Sequence, residues 1–261
     1  MRRQPWYETW YGSWHESWRT TRGVVRSLRL YYGDRERRAA MDRLYSRFVK
    51  AGDLVFDIGA HVGDRVASFR RLGARIVAVE PQPALVKLLK LFYGRCGDVA
   101  IEAVAVGRHV GTTNLMVNAD NPTVSTASPE FVAAARGAPG WDTQRWTRSV
   151  PAKVTTLDAL VGKHGPPAFI KIDVEGFEHE ALQGLSRAVK ALSFEFTIIQ
   201  RDVALACIGR CMALGYTRFN AALGESQTFA NPDWVDGEQI ARWLTRLPHA
   251  ANSGDIYAAL A

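Results

Sequence analysis

At 261 residues, with 47% apolar content and a net charge of +7, the chain has room for one sizeable α/β domain and a modest appendage. No run of about 18 apolar residues occurs, which argues against a membrane-spanning helix, and the arginine-rich N-terminus lacks the apolar stretch of a secretory signal. Residues 1–50 hold 12 Lys plus Arg against 5 Asp plus Glu, whereas residues 51–261 hold 21 of each, so the basic character belongs to an N-terminal arm and argues against a nucleic-acid-binding core.

The arm is expected over residues 1–40. Trp6, Trp10, Trp14 and Trp18 fall four apart, with Tyr7 and Tyr11 beside them. On a helix, steps of four advance about 40° beyond a full turn, which makes a broad aromatic stripe. Gly12 weakens that helix. Three roles fit the stripe: packing on its own domain or on a second copy, stacking on an acceptor such as a sugar, or membrane-surface contact helped by Arg19, Arg22, Arg26 and Arg29.

A domain from 41 to 261 follows. Residues 35–50 read as a helix with Met41, Leu44, Tyr45 and Phe48 inward, and Ala51-Gly52-Asp53 ends it. Leu54-Val55-Phe56 opens a strand that runs into Asp57-Ile58-Gly59, with Gly63 four residues later. Ile76 to Val79 is the next strand and ends at Glu80. Helix Ala84–Tyr93, strand Val99–Val106 and strand Thr112–Val117 come next. Asn118 to Ser149 has few apolar runs, three prolines and both Trp141 and Trp146, and is expected to be an insertion over the active site. A helix begins after Thr156, followed by strand Phe169–Asp173, helix Phe177–Val189, strand Phe194–Ile199, helix Val203–Leu214, and strands Tyr216–Asn220 and Asp255–Ala259. Alternating strands and helices predict a mostly parallel sheet covered on both faces, with the last two strands as an antiparallel edge hairpin. Cys96, Cys207 and Cys211 are odd in number and lack metal-ligand spacing. They fit a reducing, cytoplasmic setting, with Cys207 and Cys211 on one helix face.

Strand, glycine turn, helix, strand and terminal acid form the order that holds an adenosine at the carboxyl edge of a parallel sheet. Glycines let backbone approach a ligand, and the Glu80 carboxylate can accept from both ribose hydroxyls. The dinucleotide pattern G-x-G-x-x-G fails because His61 occupies the middle position, and no G-x-x-x-x-G-K-[ST] phosphate loop is present. Glu80 would repel a 2′-phosphate. The acid at Asp57 suits a ligand with an ammonium or sulfonium group, so charge complementarity favours S-adenosylmethionine. The plainer alternative makes Asp57 a turn cap and Glu80 a helix cap.

A second dense cluster, IKIDVEGFEHEALQG, spans Ile170 to Gly184. Its strand ends in Asp173 and Glu175, next to the expected crevice. Together with DIGAHVGD, VEP, AVAVG, VTTLDAL and GDIYA, it resembles the FkbM family of S-adenosylmethionine-dependent methyltransferases over roughly residues 50–261, the aromatic arm excepted. The resemblance implies a class I methyltransferase (Rossmann-like) fold acting mostly on hydroxyl oxygens of sugars or natural products. It further implies that Asp57, Gly59, Ala60 and Gly63 cradle the methionine part, Glu80 the ribose, and Ala103, Val104 and Ala105 the adenine. Asp173 would lie near the methyl donor, and Asp173 with Glu175 match the family's IDVEG signature. His61 stands where the family often has Asn.

Asp173, Glu175, His61 and His179 are the candidate bases for an alcohol acceptor, with the Asp173/Glu175 pair favoured by position. Glu175 as a helix cap and His61 as a hydrogen-bonding residue of the cofactor turn are the alternatives. Asp173 and Glu195, at neighbouring strand ends, would suit magnesium, but no third ligand is identifiable and no metal is favoured. Rival functions are an RNA methyltransferase that grips phosphate with the basic arm, and a non-catalytic S-adenosylmethionine-binding scaffold. The expected partner is a small-molecule or glycan hydroxyl acceptor.

Overall fold

The computed structural model describes residues 33–261. The tryptophan and arginine stripe of the arm lies outside the described residues.

Helix α1 (Arg35–Tyr45) starts at Asp34, whose carboxylate accepts from the N–H groups of Glu36 and Arg37. Such a cap contributes about 1 kcal/mol. Its buried face carries Met41, Leu44 and Tyr45, and the helix begins within the segment expected as the arm. Strand β1 (Leu54–Ile58), α2 (Asp64–Arg71), β2 (Arg75–Val79), α3 (Pro83–Tyr93) and β3 (Val99–Glu102) follow. β4 (Ala105–Val106), β5 (Gly111–Val117), α4 (Pro129–Ala135) and β6 (Arg148–Thr155) come next. The chain closes with α5 (Leu157–His164), β7 (Phe169–Ile172), α6 (Glu178–Gln183), β8 (Ala191–Thr197), α7 (Arg201–Ala213), β9 (Arg218–Leu223), α8 (Gly237–Arg246) and β10 (Ser253–Ala259).

Seven strands form the main sheet in the order β3-β2-β1-β7-β8-β10-β9. The pairs from β3 through β8 are parallel, and β10 is antiparallel to both β8 and β9. The expected edge hairpin is therefore modified: β10 slots inside, β9 forms the edge, and α8 lies in the long connection between them. α8 was not among the expected elements.

Burial on both faces explains the continuous apolar runs of these strands. In β1, Leu54, Phe56 and Ile58 enter one core with Leu182, Cys207 and Leu244 from α6, α7 and α8. Val55 enters the other, with Tyr45, Phe69 and Leu89 from α1, α2 and α3. Cys207 and Cys211 are unbonded, fully buried members of the first core, on one face of α7 as expected.

The single strand expected from Val99 to Val106 divides. Val99–Glu102 stays in the main sheet, while Ala105–Val106 pairs with β6 in a separate three-stranded sheet, order β4-β6-β5. The region expected to lack regular structure contains α4 and the start of β6. α4 is capped by Ser128, which accepts from the Phe131 N–H. Phe131 anchors the segment, with Trp141 packed edge-on at 5.3 Å and Trp146 at 6.1 Å between ring centres. The helix expected to run to Val189 stops at Gln183.

Candidate active site

β1 has β2 on one side and β7 on the other, so the carboxyl ends of these strands open into a crevice where the winding direction reverses. A pocket of about 930 Å³, counted to its open mouth, occupies this crevice.

Asp57 is the fourth residue of β1, not part of the turn, and is buried. Its Oδ2 is enclosed without a hydrogen-bond partner. Burial, reinforced by Asp64, pushes the carboxyl up to about 7. The chain then turns through Gly59 at φ 85°, His61 at φ 47° and Gly63 at φ 83°. At Gly59 a Cβ would stand 1.8 Å from the carbonyl oxygen of Asp173, and at Gly63 it would stand 2.7 Å from the Tyr93 ring. Both glycines thus serve the protein's own packing. Gly59 also lines the pocket, whereas Gly63, expected at the cofactor, does not.

Glu80 closes the opposite wall. Its two oxygens accept from the backbone N–H groups of His61 (3.0 Å) and Gln82 (2.8 Å), which ties the turn to the end of β2. Burial raises its carboxyl to about 7 against those hydrogen bonds. His61 lines the pocket, and burial drives its imidazole down to about 4, so it is neutral at physiological pH. Ala60, Val104 and Ala105 line the pocket as expected, and Val106 joins them. Ala103 is exposed and outside it. Thr123, Ser125 and Ala127 bring part of the 118–150 segment into the pocket lining.

The acids of the second motif converge on the same pocket. Asp173 follows β7, Glu175 sits two residues on at φ 54°, and Glu195 projects from β8. Their carboxylate oxygens lie within 4.8 Å of one another. Lys171, fully buried in β7, donates to Asp173 (3.1 Å) and to Asp255 of β10 (2.8 Å). Burial opposes ionisation of Asp173, but Lys171, Arg65 and a hydrogen bond from Glu195 hold it below the usual carboxylate range. Burial and then Asp173 push both Glu175 and Glu195 well up. The cluster therefore contains one firm carboxylate and two acids disposed to carry protons.

The helix-cap alternative for Glu175 is corrected by its neighbour. The Glu178 carboxylate accepts from the Val174 N–H (2.9 Å) and the Gly176 N–H (3.0 Å), leaving Glu175 turned to the pocket. His179 pairs with Gln183 at 2.9 Å and does not line the pocket, so it drops out as a base.

Arg65 and Glu225 also line the pocket, beyond the residues expected there. Arg65 bonds Asp64 at 2.6 Å and Glu225 at 3.2 Å, while Arg37 of α1 bonds the same two acids at 3.2 and 2.7 Å. The Asp64-Arg65 pair directly after Gly63 was the available signal. Glu225, far away in sequence, offered none.

The residues fit S-adenosylmethionine: an enclosed, partnerless Asp57 oxygen for a cationic group, a Glu80 carboxylate with lone pairs to spare, and an apolar wall at Val104–Val106. The methyltransferase FkbM domain matches residues 57–250. The chain belongs to the FkbM family of methyltransferases. As a member, it is an S-adenosylmethionine-dependent methyltransferase with an α/β fold. No curated protein sequence matches this FkbM methyltransferase. Similar solved structures include a precorrin-6y C5,15-methyltransferase from Geobacter metallireducens (15% identity, 86% of this chain and 87% of that one, TM-score 0.41). Others are an S-adenosylmethionine-dependent O-methyltransferase from Thermotoga maritima (12%, 87% and 65%, 0.40) and magnesium protoporphyrin IX methyltransferase from Synechocystis (9%, 91% and 84%, 0.44). At such scores they add nothing to the family match and the strand order. Among the described residues, no helix is long and apolar enough to cross a membrane.

Proposed function

We propose that this methyltransferase acts on a hydroxyl oxygen of a sugar or natural-product acceptor. The observation that carries the reading is Asp173, an ionised carboxylate fixed by Lys171 in the same pocket as the cofactor residues Asp57 and Glu80. An alcohol must lose its proton as its oxygen is alkylated, whereas a neutral amine need not, so a fixed base at this point favours oxygen.

In this reading Asp57, Gly59, Ala60 and His61 surround the methionine part, Glu80 accepts from the ribose hydroxyls, and Val104 and Ala105 pack on the adenine. When bound, S-adenosylmethionine supplies a methyl group already activated on a sulfonium. Asp173 accepts the hydrogen bond of the acceptor hydroxyl, orients its oxygen and takes its proton. Lys171 and Glu195 keep that carboxylate in place. Such a base contributes about 10²–10⁴-fold, and alignment in a closed pocket supplies roughly 7–11 kcal/mol.

The RNA alternative gains nothing from the pocket. Among the described residues that line it, the one arginine, Arg65, is already paired with Asp64 and Glu225, and the basic arm on which that alternative relies lies outside the described residues. Cell extract incubated with methyl-labelled S-adenosylmethionine should yield a small-molecule or glycan methyl ether. A label found on nitrogen, carbon or RNA sinks the proposal. Asp173→Asn should lower kcat by about 10²–10⁴-fold and remove the acidic limb of its pH profile.

A further inference from the structure

We propose that Asp173, Glu175 and Glu195 form a seat for one divalent cation of the magnesium or manganese class, beside the acceptor end of the pocket. This deepens the reading of the same site, and its test needs neither acceptor nor methyl donor.

The geometry comes from two adjacent strand ends. β7 delivers Asp173 and, two residues on in the bend at Glu175 and Gly176, Glu175, while β8 delivers Glu195 in register with Asp255 of β10. Three carboxylates thereby offer oxygens within 4.8 Å of one another. All-oxygen donors of this charge suit hard cations at about 2.0–2.6 Å, with water or an acceptor oxygen completing the shell.

A second observation separates this group from an ordinary acidic patch. Glu175 is only 6% exposed, it lines the pocket, and its carboxylate has no hydrogen bond or ion pair among the described residues. Oε2 of Glu195 is likewise enclosed without a partner. A buried carboxylate without a partner is costly, and the nearby cations do not meet the need. Lys171 is committed to Asp173 and Asp255, and Arg65 to Asp64 and Glu225. Glu178 adds further negative charge from α6 and spends its own oxygens on Val174 and Gly176. A divalent ion satisfies the Glu175 carboxylate and the unpartnered Glu195 oxygen at once and gives an acceptor oxygen a positive partner in an otherwise acidic pocket.

The test is titration of the full-length, ligand-free protein with Mn²⁺, followed by loss of the free-ion electron paramagnetic resonance signal. One ion per chain should bind, and Mg²⁺ should displace it. Glu175→Gln and Glu195→Gln should each weaken binding by about tenfold or more, since affinity follows the number of charged ligands. Glu180→Gln, which removes an exposed acid paired with Arg108 outside the pocket, should bind Mn²⁺ like the parent. Paramagnetic broadening in the unaltered protein should centre on the amides of Asp173 to Gly176, a measurement that does not depend on any variant folding. The proposal is overturned if Mn²⁺ stays free at roughly millimolar concentration, if the two glutamine variants bind as tightly as the parent, or if broadening centres elsewhere.

Discussion

Asp57 and Glu80 line the same pocket with carboxyl groups that burial lifts to about 7. A protein gains nothing in stability from two such acids. They make sense as groups waiting for a ligand that favours their ionised forms. S-adenosylmethionine, with its ammonium and sulfonium, is such a ligand for Asp57. Its binding below pH 7 must then expel a proton, so affinity should rise by on the order of tenfold between pH 6 and pH 8 for each coupled group. Calorimetry at those two pH values, in buffers of different ionisation heat, reads both the affinity and the proton released. Asp57→Asn should bind more weakly at pH 8 and lose most of the pH dependence. A parent affinity that is flat with pH would refute this coupling. The two acids were legible in the sequence because each ends an apolar strand at a fixed distance from a glycine turn. Glu225, which completes the rim, was not, because only tertiary folding brings it to Arg65 and Arg37.

At the scale of elements, the close approach of β1 to the end of β7 shapes the site. Gly59 permits it: its φ is 85° and a Cβ would collide with the Asp173 carbonyl at 1.8 Å. Gly137 shares a positive φ, 76°, but a Cβ there meets nothing within 4 Å. Gly137→Ala should therefore cost only the backbone penalty of about 1–2 kcal/mol. Gly59→Ala adds overlap between two strand ends and should cost about 1–3 kcal/mol more. Urea denaturation of both variants measures the difference, and equal stabilities would mean that the strand ends do not abut as described. The strands that meet here were readable since burial on both faces writes them as unbroken apolar runs. β6 was not: it alternates exposed and buried residues, includes Pro151 and carries its charges outward. α8 did leave a mark, the Asp236 and Gln239 capping box, but its apolar residues were too few to stand out from the long connection. The end of α6 was hidden for another reason. Gly184, where α6 ends, packs closely on Gly107 just past β4: a Cβ would stand 2.4 Å from the Gly107 carbonyl oxygen, a contact invisible in the local sequence.

Across the whole molecule, buried acids fall into two opposed sets, and their balance fixes how stability responds to pH. Burial opposes ionisation of Asp64 and Asp173, but arginine or lysine partners outweigh it and hold these groups below their ordinary values. Their contribution is present above about pH 4 and is lost as the pH falls further. Burial holds Asp57, Glu80 and Glu178 up at about 7. Between about pH 4 and 7 the folded chain keeps protons on these three that the unfolded chain has released, so stability falls as pH climbs through that window. His61, driven down to about 4 by burial, works the other way between about pH 4 and 6.5, but it is one group against these three and the raised Glu175 and Glu195. Without ligand, the melting temperature should therefore peak at about pH 4 and decline toward pH 8. One pKa unit on one group is about 1.4 kcal/mol, so the decline should reach several degrees. Scanning calorimetry from pH 3 to pH 9 checks this, and a maximum above pH 7 would contradict it. The same pocket acids that destabilise the empty protein at pH 8 are those that meet the ligand's positive charge. Saturating S-adenosylmethionine should raise the melting temperature more at pH 8 than at pH 5, and an equal shift at both would separate the ligand from these carboxylates.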